Sequence, residues 1–134
     1  MFKINKQVDY ALQFLVVLDN HSKEKVLSLR KFCENHTISF LFFQKIVKLL
    51  KDAEMVASVQ GVAGGYYLLR DLEDLSIKDV IEAIEGPYGI VYCEKEKKQC
   101  AKASDCSVRP GFLKLNNKIL EYIEGVSVKT FVNN

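Results

Sequence analysis

Between Ser28 and Arg70 the sequence leaves few folding options open. Its patterning predicts a short helix (Ser28 to Asn35), a tight turn (His36-Thr37-Ile38) and a longer helix (Ser39 to Ala53). A strand (Met55 to Val59), the glycine turn Gln60-Gly61-Val62-Ala63-Gly64-Gly65 and a return strand (Tyr66 to Leu69) follow. Two helices joined by a three-residue turn and followed by a β-ribbon describe a winged helix-turn-helix, which places its second helix in a DNA major groove.

That second helix divides cleanly at 3.6 residues per turn. Phe43, Ile46, Val47 and Leu50 fall on one side, flanked by Phe40, Phe42 and Ala53, while Gln44, Lys45, Lys48, Lys51 and Asp52 take the other. Leu41 is the single apolar residue on the polar face. On an arbitrary helix such a face is merely solvated. On the second helix of this motif, the residues from Ser39 onward are those that reach base edges. Gln44 then suits adenine, Leu41 a thymine methyl, and Lys45 and Lys48 the phosphates. In the wing, Gly61, Gly64 and Gly65 permit positive φ and close approach to a phosphate backbone, although any tight hairpin also favours glycine. Gln60 and Tyr66 bracket this turn and complete the expected DNA-contacting set.

A chain of 134 residues supports one domain with a real core. With 49% hydrophobic residues and only two prolines, an ordered, helix-rich chain is expected. The formal charge of +2 permits nucleic-acid binding without requiring it, since a reader needs a local basic face more than a basic total. No stretch reaches the roughly 18 apolar residues of a membrane span. Lys3 and Lys6 precede the apolar run Ala11 to Leu18, but that run follows Asp9, contains Gln13 and leads to no small-residue cleavage site. A signal peptide is not expected, and a cytoplasmic location with reduced cysteines is.

Elsewhere, Asn5 is placed to cap a first helix running to Leu18, with Val8, Ala11, Leu12, Leu15 and Val16 inward and Asp9 in the first turn, where the helix dipole favours a carboxylate. Cys33, beside Leu29 and Phe32, reads as a small buried hydrophobe. Ser76-Ile77-Lys78-Asp79 has capping-box form and opens a helix that Gly86-Pro87 ends. The fold class expected is therefore mainly α with a small β-ribbon. Residues 1–86 form the winged helix-turn-helix and 87–110 a charged, cysteine-containing loop. Residues 111–134 form a long helix from about Gly111 to Glu124 and a terminal turn capped by Ser127. The last helix carries an apolar stripe of Phe112, Leu115, Ile119, Leu120 and Ile123, read as a homodimer seam matching a palindromic operator.

Three of the four cysteines fall in the loop, and Cys93, Cys100 and Cys106 are separated by six and five residues. Zinc sites use closer pairs, so zinc is disfavoured; iron–sulfur clusters are held by thiolates and tolerate wider spacing. A metal centre would also order a loop with so few apolar residues. Three cysteines leave one position to complete, for which Asp9 and His36 are candidates. Their simpler readings are a helix-dipole partner and a turn residue. The two histidines, His21 and His36, belong to no catalytic motif, and no enzyme activity is expected.

Asp9-Tyr10-Ala11-Leu12, Ile38-Ser39, Ala53 to Val56, Gly61 to Arg70 through Gly64-Gly65-Tyr66, Asp79-Val80-Ile81, Glu85-Gly86, the three loop cysteines and the ending Val126 to Phe131 together resemble one family. It is the family of winged-helix repressors that includes IscR, NsrR and CymR, and the resemblance covers nearly the whole chain. It implies a homodimeric transcription regulator whose long C-terminal helices pair. Cluster-bearing members hold a [2Fe–2S] or [4Fe–4S] centre with three cysteines, matched by Cys93, Cys100 and Cys106, and one other ligand. IscR-like members use a histidine three residues past the last cysteine, where this chain has Arg109, which cannot serve. Other members use an acidic residue early in the first helix, matched by Asp9, and a relative uses a histidine just before the recognition helix, matched by His36; the departure at Arg109 favours Asp9. Gln60 stands where many relatives carry a wing-tip arginine, and Glu54 where they usually have glycine, so strain is expected at that helix end.

The function expected is a DNA-binding repressor controlled by a cluster that senses redox state, nitric oxide or iron supply. The alternative keeps the DNA reader without the cluster, under control of a partner protein or thiol oxidation. An iron–sulfur electron carrier would leave the helix-turn-helix idle.

Overall fold

A computed structural model of the chain describes residues 3–87, 89 and 105–133. The order is α1 (Lys6–Leu18), α2 (Leu29–His36), α3 (Phe40–Asp52), β1 (Val56–Val59), β2 (Gly65–Leu68) and α4 (Ile77–Glu85). Then come α5 (Arg109–Gly125) and α6 (Val128–Asn133). The elements are those expected, with ends displaced by a residue or two. α5 begins at Arg109, two residues before Gly111, because Pro110 fits the first turn, where its missing N–H costs nothing. The loop expected over 87–110 lies largely outside the described residues.

Short polar side chains start most of the helices. Asn5 Oδ1 accepts from the Gln7 N–H at 2.8 Å, Ser28 Oγ from Lys31 and Ser39 Oγ from Phe42. Ser76 and Asp79 form a reciprocal capping box, with bonds of 3.0 and 2.9 Å. The Thr130 N–H donates to Ser127 Oγ at 3.0 Å, as expected of a cap on the last turn.

The two helices of the helix-turn-helix end alike. In α2, Ile38 N–H donates to Cys33 O and Thr37 N–H to Glu34 O; in α3, Met55 N–H donates to Leu50 O and Glu54 N–H to Lys51 O. Each pair of bonds is a Schellman motif, with the left-handed position filled by Thr37 (φ 55°) and Glu54 (φ 58°) in place of glycine. In both, the residue after the left-handed position, Ile38 or Met55, is buried in the core.

β1 and β2 pair antiparallel, with Val56 opposite Leu68 and Val59 opposite Gly65. Leu27 adds a short third rung, exchanging backbone bonds with Tyr66 at 2.9 and 2.8 Å. The wing is thereby bonded to the residue before the Ser28 cap. The core comprises the inward faces of α1, α2, α3 and α4 with Leu72, Leu75 and Val128. α4 packs on α1, α3 and α5. The chain then returns to it: Ile77 N–H donates to Val126 O and Val128 N–H to Leu75 O, and Lys129 pairs with Asp19 at 2.9 Å. α5 is different. Among its described side chains only Asn116 is fully buried, Ile119, Leu120 and Ile123 are half-buried, and Phe112 and Leu115 remain 44% and 51% exposed.

Left-handed backbone costs a residue bearing a Cβ about 1–2 kcal/mol, and glycine's greater unfolded-state freedom offsets about 0.4–1 kcal/mol of that. Glu54→Gly is therefore expected to stabilise the fold by about 0.5–1 kcal/mol, raising the thermal midpoint by about 2–5 °C. An unchanged or lower midpoint in a calorimetric scan would show that the α3 end carries no such strain.

Candidate nucleic-acid interface

The face of α3 that the sequence assigns to DNA is open to solvent. Leu41 is 74% exposed, an unusual state for a leucine on a helix whose opposite face is entirely buried, and Gln44, Lys45 and Lys48 are exposed beside it. Lys51 is spoken for: its Nζ donates to Ser58 Oγ on β1 at 2.9 Å, bracing the helix against the wing. Ser39 is exposed, and its hydroxyl is occupied in capping α3. Phe42 leaves the core face to meet Tyr10 of α1 edge-on, with ring centroids 6.2 Å apart.

The wing glycines differ from expectation. Only Gly61 takes a positive φ, at 114°. Gly64 and Gly65 do not, and are required for backbone packing: a Cβ on Gly64 would lie 2.2 Å from Val59 O, and one on Gly65 2.4 Å from Leu27 O. Gly65 is buried, and Tyr66 is half-buried with its ring 6.1 Å from Phe14, so both face the domain. The outward part of the wing is Gln60, Gly61, Val62 and Ala63. Val62 is fully exposed at the tip, and an apolar residue in a turn carries no periodicity by which a sequence would mark it.

A further cation borders this face. The Arg30 guanidinium on α2 lies 4.3 Å over the ring of Phe40, the first residue of α3, and was not singled out in the sequence because the stacking partner belongs to another helix. Arg30, Glu34, Thr37, Ser39 and Phe40 line a shallow cleft between the two helices, with Cys33 at its base.

Of the cysteines, Cys33 is 3% exposed, and burial pushes its thiol up from the usual range, with Arg30 pulling weakly the other way. Cys106 is half-buried, three residues ahead of α5. Cys93 and Cys100 lie outside the described residues. Asp9 is exposed, and one of its carboxylate oxygens accepts from Gln13 Nε2 at 3.0 Å. His36 is exposed, stacked 4.1 Å from the Phe32 ring, with Nδ1 3.0 Å from Phe32 O. That contact fixes Nδ1 as the donor and leaves Nε2 as the nitrogen available to a metal. Among the described residues, no three of His, Cys, Asp and Glu gather into a metal-binding group.

The profile described as Rrf2, "Iron-dependent Transcriptional regulator", matches residues 4–134. The chain belongs to the Rrf2 family. It is 27% identical to protein rrf2 of Nitratidesulfovibrio vulgaris over 107 residues, covering 80% of this chain and 71% of that one. It is 26% identical to the transcriptional regulator IscR of Sodalis glossinidius over 125 residues, 93% of this chain and 75% of that one. Among solved structures, the global cysteine regulator CymR of B. subtilis superposes with a TM-score of 0.79 at 21% identity, covering 99% of this chain and 98% of that one. IscR of T. potens gives 0.72 at 22% identity, covering 98% and 87%. This Rrf2 protein is thus a winged-helix transcription regulator and not an enzyme, with DNA binding supported by its family. No helix among its described residues is long and apolar enough to cross a membrane.

Gly65→Ala is expected to destabilise the fold by about 1–3 kcal/mol, because the Leu27 and Gly65 backbones must separate to admit the methyl group. Urea unfolding followed by circular dichroism measures this, and a midpoint equal to wild type would refute the packing role. In the native Rrf2 protein Cys33 is expected to resist iodoacetamide at pH 8, since only the thiolate attacks and burial opposes its formation. Mass spectrometry should find Cys33 alkylated in urea and spared without it.

Proposed function

We propose that this chain is a homodimeric repressor that binds a palindromic operator, and that an iron–sulfur cluster held by its loop controls the binding. The observation that carries the DNA reading is the solvent face of α3, where Leu41, Gln44, Lys45 and Lys48 stand exposed on a helix whose other side is locked into the core. Leu41 suits a thymine methyl, Gln44 an adenine edge, and the lysines phosphates. Gln60 and Gly61 place the wing beside the backbone, and Ser39 sets where α3 starts. Two such helices related by a dimer axis reach successive major grooves of one duplex face.

The second copy is assigned to α5. A helix of 17 residues that leaves Phe112, Leu115 and Tyr122 largely exposed is under-packed as a monomer element and suits pairing with its own copy.

The cluster reading rests on donor chemistry. Cys93, Cys100 and Cys106 are soft thiolate donors of the kind that hold iron–sulfur centres, as [2Fe–2S] or [4Fe–4S], and the half-buried Cys106 is accessible for such duty. Asp9 remains the favoured fourth ligand: it is exposed and keeps one carboxylate oxygen beyond its bond to Gln13. His36 is the alternative through Nε2. Arg109, first residue of α5, offers no ligand atom. The bound centre would supply a charge and a tether that change with oxidation, nitric oxide or loss of iron. This chain's own part is to carry that change from Cys106 into α5, and through α4 to α1 and α3.

Protein purified without oxygen is expected to show a visible absorption band that is lost in Cys93→Ala, Cys100→Ala and Cys106→Ala and kept in Cys33→Ala. An Asp9→Ala spectrum identical to wild type would remove Asp9 as ligand. Holo and apo protein should differ at least tenfold in affinity for one duplex at matched salt; equal affinities would end the sensing hypothesis. A colourless protein that still binds DNA would favour a cluster-free regulator, controlled by a partner protein or by thiol oxidation. For the dimer, Leu115→Lys should sediment as a monomer, and an unchanged dimer would exclude α5 as the seam.

A further inference from the structure

The cation–π pair between Arg30 and Phe40 joins the surface of α2 to the start of α3. Arg30 is an exposed residue of α2, and its guanidinium is held over the first side chain of the recognition helix at 4.3 Å. The first N–H groups of a helix lack intrahelical partners and give it partial positive charge. Here Ser39 Oγ takes the Phe42 N–H and Ser39 O takes the Phe43 N–H, which leaves those of Phe40 and Leu41 outside the ladder. The first turn of α3 thus carries two open N–H donors and, over the ring of its first residue, the Arg30 guanidinium, while Thr37 and Ser39 line the same cleft. The neighbouring cations Lys31, Lys45 and Lys48 are also exposed, and Glu34 is the acidic residue lining the cleft.

We propose that Arg30, pinned on Phe40, is a phosphate clamp that grips the operator backbone where α3 enters the major groove. In helix-turn-helix proteins the helix before the recognition helix crosses the sugar–phosphate backbone, and Arg30 is the α2 side chain placed at the joint between the two. The cation–π contact holds the guanidinium in place, so less rotamer freedom is lost when its fork of N–H groups meets phosphate oxygens in a bidentate pair. The clamp sets position and carries no base preference of its own. Its place on α2 also makes it sensitive to any change in the angle between α2 and α3, so the contact would report the regulatory state of the motif.

This inference rests on α3 being the recognition helix, and the test separates the two claims. The probes are a duplex selected by the full-length protein from a random-sequence pool and an unrelated duplex of equal length, each titrated over a range of salt concentrations. Arg30→Ala is expected to weaken binding to both probes about tenfold or more. It should also flatten the slope of log K against log salt by about 0.9 for each phosphate lost, so by about 1.8 for a dimer. Arg30→Lys should keep the slope while losing part of the affinity, since lysine retains the charge without the planar fork. Lys48→Ala and Gln44→Ala serve as the reference for α3, with Gln44→Ala weakening only the selected duplex. A wild-type slope and affinity in Arg30→Ala, with the α3 variants impaired, overturns the clamp and leaves the α3 reading intact. If Arg30→Ala, Gln44→Ala and Lys48→Ala all bind as wild type, both readings fall. Circular dichroism and the thermal midpoint of each variant confirm that it is folded, as expected for exposed positions.

Discussion

The reading head is held together by one side chain. Phe14 of α1 is fully buried and meets Phe32 of α2 at 5.0 Å, Phe43 of α3 at 5.2 Å and Tyr66 of the wing at 6.1 Å, all edge to face. Phe32 and Phe43 also stack on each other at 5.1 Å. Edge-to-face pairs contribute about 0.5–1.5 kcal/mol each beyond their buried area. Their directionality matters as much as their strength, because it fixes the angles at which α2, α3 and the wing leave α1. The spacing between the α3 face and Gln60–Ala63 follows from that packing, and Lys51–Ser58 and Leu27–Tyr66 reinforce it at the periphery.

α1 is therefore part of the reading head as well as a neighbour to it. Asp9 lies on its exposed face, five residues before Phe14, so in the proposed switch a ligand bond at Asp9 would act on the helix that orients both α3 and the wing. In the same proposal the other entry would be Cys106, through α5 and α4. α4 touches α1 and α3 as well as α5, and so joins the two routes in one packed body. Packed interiors transmit displacement because they have little room to absorb it. A switch of this form must also run backwards: DNA that favours one arrangement of α2 and α3 would change the stability of whatever the loop binds, by the same factor.

Much of this was legible in the sequence because the relevant features are local. Ser28, Ser39 and Ser76 mark helix starts by their own chemistry, and the α3 faces follow from periodicity alone. The apolar stripe of α5 was visible too, but sequence cannot distinguish a stripe that meets its own core from one that stays open. The structure separates these, with Ile123 inward and Phe112 and Leu115 outward. Gly61 takes the positive φ expected of it, whereas Gly64 and Gly65 do not, for a related reason. A glycine that allows a positive φ and one that allows a close backbone approach look identical in sequence; only the Leu27 rung reveals that Gly65 belongs to the second kind. Arg30 escaped because its partner, Phe40, is ten residues away on a different helix.

The left-handed ends of α2 and α3 show how the motif tolerates a local cost. Thr37 is the harder case, because a β-branched residue at φ 55° crowds its own backbone. Each strained position is followed by a residue, Ile38 or Met55, that is 9% or 3% exposed, and burying such a side chain stabilises by about 1.5–3 kcal/mol. That exceeds the roughly 1–2 kcal/mol of a left-handed non-glycine residue. The buried residue therefore dictates the turn, and the strained residue conforms. In α2 this arrangement turns the chain through Thr37 and Ile38 to Ser39, and so determines where α3 begins relative to Arg30. In α3 it sends Met55 inward and starts β1 at Val56, fixing the wing's origin. Both geometric parameters of the reading head, the joint between its helices and the root of its wing, are thus set by burial of a single apolar residue after a turn that backbone preference alone would not choose.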